Sequence, residues 1–245
     1  MYTMEARIRL SETDRTGRLS MNGLLRLFQD CGYSHAQDRN LGLEYTQKTH
    51  CTWYLLSWQI FALRMPMVGE TVRIETCIYD RRASLAHKSI AMYNAAGERL
   101  AAGDTMWVYM DVLDQQPAEP SKEAWLPEDF GERLDLPPMP RRIIVPQDCR
   151  VMEPCRVQPY LLDTNGHANN VRLTELAMRL CGADAGCTRL RAEFRKQVRA
   201  DGIICPAVKE RTAMQKGEEA ASTVVVFRSE EGEMGEILSV FEFGV

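Results

Sequence analysis

Apolar positions along this chain follow a helical spacing and then a strand spacing, and the pair of spacings occurs twice. Leu24, Leu27, Phe28, Cys31 and His35 stand three or four apart, behind a Ser20 or Asn22 suited to an N-cap. Strand patterns follow: an apolar, aromatic run from Trp53 to Leu63, and alternation at Val72, Ile74, Thr76 and Ile78. Lys88 to Tyr93 leads through a turn at Asn94–Gly97 into a long strand through Met106, Trp107, Val108 and Tyr109. The second cycle has Leu173, Leu176, Ala177 and Leu180 at helical spacing behind Asn169 or Asn170. Its strands are read at Leu190 to Val198, Ile203 to Thr212, Ser222 to Arg228 and Glu236 to Phe243, with Gly232 and Gly235 at a turn. Each half is predicted to be one long helix followed by about four antiparallel strands, an α+β arrangement in which the sheet buries the helix on all sides.

The halves also match residue by residue. With Arg7 set on Arg156, Asp14 falls on Asp163, Thr16 on Asn165, Gly17 on Gly166, Arg18 on His167 and Ser20 on Asn169. Between the halves, seven of the eleven prolines fall between Asp114 and Arg150, a composition that favours an extended connection. The expected division is 1–113, a linker at 114–150, and 151–245.

Composition narrows the field. A net charge of -4 opposes general nucleic-acid binding, which needs a basic excess to displace counterions. No apolar run reaches the roughly 20 residues of a membrane span, and the charged N-terminus does not read as a signal peptide. A cytoplasmic protein is expected, with no stable membrane insertion. Eight cysteines stand at 31, 51, 77, 149, 155, 181, 187 and 205, none in a C-x-x-C pair. They read as small, reduced core residues, and neither a metal nor an organic cofactor is expected.

The densest cluster of reactive side chains is Asp163-Thr164-Asn165-Gly166-His167-Ala168-Asn169-Asn170-Val171. In an extended segment Asp163, Asn165 and His167 would point the same way. The helix that follows offers its first-turn N–H groups and dipole to a developing oxyanion. His167 is the one side chain in the motif that titrates near neutrality. The amide of Asn165 suits holding water or substrate, and Asp163 suits fixing its neighbours. Ordinary turn chemistry also explains Asp-x-Asn-Gly. The repeat separates the two readings, because the first copy keeps Asp14 and Gly17 but has Thr16 and Arg18. The retained pair looks structural, and the pair that differs carries the chemistry. No G-x-S-x-G nucleophile elbow is present.

At these residues the chain resembles the acyl-acyl-carrier-protein thioesterases of plant plastids and bacteria. Their signature Asp-x-Asn-x-His-x-Asn-Asn-Val-x-Tyr reads here from Asp163 to Leu173, departing only at the last position. A second segment, Glu-Tyr-Arg-Arg-Glu-Cys in the family, reads Glu193-Phe194-Arg195-Lys196-Gln197-Val198. The resemblance implies a tandem (double) hotdog fold, a catalytic C-terminal half and an N-terminal half that forms most of the acyl pocket. It gives catalytic roles to Asp163, Asn165 and His167, and places Gln197 where the family has a catalytic glutamate. Glutamine is no general base, so His167 takes the proton or Gln197 only orients water. On a continuous strand Glu193 would share a face with Gln197 about 13 Å away, too far for simple replacement. Candidates for the acyl pocket are Leu24, Phe28, Trp53, Leu55 and Trp58, residue types that equally make plain core. Arg189, Arg191 and Arg195 would form a cationic stripe for docking an acidic carrier protein.

The implied reaction is release of free fatty acid from acyl carrier protein. Coenzyme A presents the same phosphopantetheine arm, so an acyl-CoA thioesterase is the nearest alternative. A degenerate hotdog that binds acyl thioesters without turnover is kept open by Gln197, and a hotdog dehydratase fits the asparagines less well. Either a monomer or a homodimer is compatible with two halves that pair within one chain.

Overall fold

The computed structural model describes residues 1–245 except 122–126, 139–141, 184–185, 216–217, 231–234 and 245. At 213–215 and 218–220 it describes the backbone alone. The Gly232 part of the expected turn lies outside the described residues. Two compact units are found, Met1–Met139 and Pro140–Val245.

In the first unit, β1 (Tyr2–Arg7), α1 (Met21–Asp38) and α2 (Leu43–Thr49) precede β2 (Cys51–Ala62), β3 (Thr71–Arg82), β4 (Leu85–Tyr93), β5 (Arg99–Asp111) and β6 (Gln116–Pro117). Its antiparallel sheet runs β1-β3-β4-β5-β2, with β6 on β5. The second unit holds β7 (Arg150–Val151), β8 (Cys155–Arg156), α3 (Asn170–Cys181), β9 (Arg189–Phe194), β10 (Ile203–Gln215), β11 (Glu218–Arg228) and β12 (Ile237–Gly244). Its order is β7-β10-β11-β12-β9, with β8 also on β10. The two orders are the same topology once β7 and β8 stand for β1. Pro154 lies between β7 and β8 and has no N–H to offer a ladder, which accounts for the broken edge.

The expected elements are present with four differences. β1 covers the charged terminus, and its residues alternate between partly buried and exposed, the pattern of an edge strand. α2 had no apolar periodicity to announce it, and none of its residues is buried. β9 stops at Phe194 instead of running to Val198, because the N–H groups of Arg195 and Lys196 both turn to the carbonyl of Leu238 (2.8 and 3.1 Å). Finally, α1 is buried along one side and not all round: Arg26 is exposed, whereas Met21, Gly23, Leu24, Leu25, Leu27 and Phe28 are packed closely. Gly23 permits this, since a Cβ there would stand 2.3 Å from the Glu12 carbonyl oxygen. Further along, Cys31 and His35 face inward and Tyr33 is exposed.

The proline-rich join is not a free tether. Residues 127–137 strap one face of the first sheet: Gly131 N–H donates to Ile78 O (2.9 Å) and Arg133 Nη2 to Asp104 Oδ2 (2.8 Å). Gln59 Nε2 donates to Pro137 O at 2.9 Å. Beyond it, Ile143 is buried with Val224, Val226 and Val240 in the second unit. Glu193 accepts the Ile143 N–H and binds Arg195 through Oε2 (2.7 and 3.0 Å).

Candidate active site

Both copies of the Asp-x-x-Gly segment fold into the same reversal. A 3-10 turn at Leu10–Glu12 or Pro159–Leu161 leads into it, and α1 or α3 follows. In the first copy Asp14 N–H donates to Arg18 O (2.7 Å) and Gly17 N–H to Asp14 O (3.1 Å). In the second, Asp163 N–H donates to His167 O (2.7 Å) and Gly166 N–H to Asp163 O (3.1 Å). Gly17 and Gly166 have φ of 78° and 74°, the left-handed region that favours glycine. Each aspartate places Oδ1 under the turn: Asp14 accepts from Thr16 and Arg18 N–H, and Asp163 from Asn165 (2.8 Å) and His167 (3.2 Å).

This corrects the expectation of an extended Asp163–His167 segment. The chain reverses, Asn165 lies exposed at the apex, and Asp163 serves the turn as Asp14 does. The pair kept in both copies is the structural pair, for a visible reason: one carboxylate and one positive φ close the loop.

The chain beyond β9 then comes to the turn. Ala168 N–H donates to Val198 O (2.7 Å), and His167 bridges Arg199 in antiparallel fashion. One step along that register, Gln197 stands level with Asn169. The first unit does likewise: Leu19 N–H donates to Pro66 O (2.8 Å) and Arg18 bridges Met67. Met65 is therefore the counterpart of Gln197, and Arg18 Nη1 donates to its carbonyl (3.3 Å). The second unit thus has Asn165, His167 and Gln197 where the first has Thr16, Arg18 and Met65. Gln197 Oε1 is buried and accepts no hydrogen bond among the described residues.

Burial is the main influence that holds the His167 imidazole below its ordinary pKa. The Asp163 carboxylate opposes it and the Arg199 guanidinium reinforces it. The ring is neutral at physiological pH, as a general base must be.

Asn169 is the N-cap of α3, its Oδ1 accepting from Val171 N–H (2.9 Å) and Arg172 N–H (3.3 Å). Leu173 N–H donates to Asn169 O at 2.9 Å. Two of the donors expected to face an oxyanion, the Val171 and Arg172 N–H groups, are consumed by the cap, and the helix dipole remains. Asn169→Ala should destabilise the protein by about 1 kcal/mol, lowering the melting temperature by about 2–4 °C. Calorimetry showing an unchanged transition would contradict this account of the cap.

The other candidate residues are placed as follows. Leu24, Phe28, Leu55 and Trp58 are buried in the first unit, and Trp53 is partly buried with its ring 5.2 Å from Tyr109. Leu55 pairs with Trp107 and Trp58 with Thr105, because a bulge at Leu56 shifts the register and keeps both on one face. The expected arginine stripe is not an open one. Arg195 lies past the end of β9 and grips Glu193, while Arg191 Nη1 binds Glu242 Oε2 (3.2 Å) and is nearly buried. The same grip occupies Glu193 structurally. Lys88, His35 and Asp129 form a polar cluster in the first unit, His35 and Asp129 buried and Lys88 partly so, that the sequence does not announce. His35 holds one of the periodic positions of α1, and its place on an apolar face is the available signal.

Residues 1–125 match the profile of the acyl-ACP thioesterase N-terminal domain, a match that ends before the candidate catalytic residues. No curated protein matches at the sequence level. Among solved structures, an acyl-ACP thioesterase from Bacteroides thetaiotaomicron is 16% identical with a TM-score of 0.81, covering 99% of this chain and 96% of that one. The 12:0-ACP thioesterase from Umbellularia californica is 15% identical with a TM-score of 0.78, covering 99% and 95%. A Staphylococcus aureus protein in complex with CoA is 13% identical with a TM-score of 0.50, covering 59% and 95%. At these identities the likeness is one of fold, the double hotdog in the two structures that cover 99% of the chain.

Proposed function

The chain belongs to the acyl-ACP thioesterase family, and we propose that it hydrolyses fatty acyl-acyl-carrier-protein thioesters to free fatty acid and carrier thiol in the cytoplasm. The observation that carries this reading is the asymmetry of two turns closed by the same backbone hydrogen bonds. One backbone design is built twice, and only the second copy brings a neutral histidine and a buried, unsatisfied glutamine to it.

In this reading His167 takes a proton from water as the water oxygen adds to the thioester carbonyl carbon. The C–S bond then breaks, and the proton passes to the departing thiolate. Gln197 orients the water through Oε1, in place of the family's carboxylate. The exposed amide of Asn165 meets the incoming thioester, and Asp163 is a positioning residue that holds the turn. The positive end of the α3 dipole favours the charge that develops on the carbonyl oxygen. The acyl chain is assigned to the first unit, along Leu24, Phe28, Trp53, Leu55 and Trp58.

The test is hydrolysis of one acyl chain on both carriers. Turnover of the carrier-protein thioester above the coenzyme A thioester is expected, with Gln197→Ala slowing it about three- to tenfold, as loss of one neutral hydrogen bond implies. Preference for the coenzyme A thioester would replace the substrate and keep the chemistry. Tight binding with no turnover on either carrier would favour an acyl-thioester-binding protein, the reading that Gln197 itself supports.

A further inference from the structure

The face of the first sheet that carries Leu55 and Trp58 is not wholly apolar. Trp58 pairs with Thr105, Thr105 with Lys88, and Lys88 with Ile78, so the four form one row across β2, β5, β4 and β3. Adjacent strands lie about 4.8 Å apart, which sets Lys88 about 10 Å from Trp58 along the row. α1 covers the same face: Cys31 Sγ reaches the carbonyl of Ile74 (3.9 Å), and His35 lies over Lys88. From Phe28 to His35, two turns of α1 lead from the nominated acyl-chain residues to the lysine.

Lys88 is held in an ordered chain of polar contacts. Its Nζ meets His35 Nδ1 at 3.5 Å, and His35 Nε2 meets Asp129 Oδ1 at 2.8 Å. Arg39 donates to the same oxygen from Nε (3.0 Å) and Nη2 (2.8 Å). Tyr2 stacks on the imidazole with ring centroids 4.9 Å apart. This arrangement assigns the protons: Nε2–H of a neutral His35 donates to Asp129, leaving Nδ1 to accept from the lysine. Among the described residues no carboxylate lies within ion-pair distance of Lys88. His35 Nδ1 is the acceptor that Lys88 Nζ meets among the described residues. Lys88 is partly buried; drawing an amine so far from water against one neutral acceptor is costly, and a sheet face meant only for hydrocarbon would carry an aliphatic residue at this point.

We infer that the interior of the first unit takes an acyl chain bearing an oxygen function remote from the thioester, a hydroxyl, an oxo group or a carboxylate, bound by Lys88. His35 and Asp129 are positioning residues that aim the amine. The inference rests on the assignment of the acyl chain to the first unit.

Binding of free fatty acids of one length tests it without turnover: a plain chain, chains with a mid-chain hydroxyl or oxo group, and one ending in a second carboxylate. Calorimetric titration of the full chain should find an oxygenated acid bound about tenfold tighter than the plain one, the scale of one charge-assisted hydrogen bond. Lys88→Met, which keeps the length and removes the amine, should bring that ratio toward one. Lys88→Arg, which restores the charge, should recover part of it. Which oxygenated acid leads identifies the group. Equal binding of plain and oxygenated acids by wild type, or an unchanged ratio in Lys88→Met, overturns the inference. If thioesters of the preferred acids are bound but not hydrolysed, the hydrolase reading fails and this one stands. Rapid hydrolysis of plain thioesters with no oxygen preference sinks this one alone.

Discussion

Replacing His167 by alanine should lower kcat/KM on an acyl-carrier-protein thioester about a hundredfold to ten-thousandfold, the range for removing a positioned general base. The fold should survive, because the turn is closed by backbone groups, Asp163 Oδ1 and Gly166, none of which needs the imidazole. The pH profile gives a second readout. Burial lowers the His167 pKa from its ordinary 6.5, so the ring sheds its proton at lower pH than a free histidine. The acid limb of kcat/KM should accordingly have its midpoint below about 6.5 and disappear in the variant. A wild-type rate in His167→Ala would remove the histidine from the mechanism. A midpoint above 6.5 would mean that some other group sets the limb.

The equivalent experiment on the first copy makes the asymmetry explicit. Arg18 occupies the His167 position, with its guanidinium bonded to Met65 O, and a guanidinium carries donors only, with no lone pair to take a proton from water. Two turns with one backbone geometry and different side chains separate what builds the loop from what the loop presents.

That separation was legible in the sequence as far as spacing held constant. Asp14 and Asp163, Gly17 and Gly166, and the caps Ser20 and Asn169 keep one offset, and the structure puts them in equivalent places. The Met65–Gln197 correspondence was hidden, because Gln197 follows Met65 by 132 positions where Asp163 follows Asp14 by 149. Helices and loops of unequal length lie between. The end of β9 was hidden for another reason. Arg195 and Lys196 look like strand continuation, and only the carbonyl of Leu238, which captures both N–H groups, ends it. Arg191 read as free charge because its partner, Glu242, is distant in sequence, and Arg195 because its grip on Glu193 forms only where β9 ends. The same holds for the lysine, histidine and aspartate that meet in the first unit. Each was surrounded by an unrelated pattern: a strand, an apolar helix stripe and a proline-rich join.

Asp129→Ala should be the most destabilising of the substitutions considered, by about 3 kcal/mol, the lower end for breaking a buried ion pair. The lower end applies because Arg39 is 28% exposed and regains water, whereas Asp129 and His35 side chains are each 6% exposed. The melting temperature should fall by about 6–12 °C at that size of effect. Burial alone would raise the Asp129 pKa, but the bonds and charges of His35 and Arg39 outweigh it and hold the carboxylate below its ordinary 3.8. A depressed carboxylate stabilises the fold above its unfolded pKa and loses that contribution as pH falls through the folded value. The gap between wild type and variant should therefore be complete above about pH 3.8 and close below it. His35 acts on a different part of the curve. Burial and Lys88 lower its pKa from 6.5, so the unfolded chain binds a proton first, and wild-type stability should begin to decline as pH falls below about 6.5. Superimposable melting curves for wild type and Asp129→Ala at neutral pH would show that the strap at 127–137 is held without this pair. A large loss would show that the pair which aims Lys88 also fastens the join to α1.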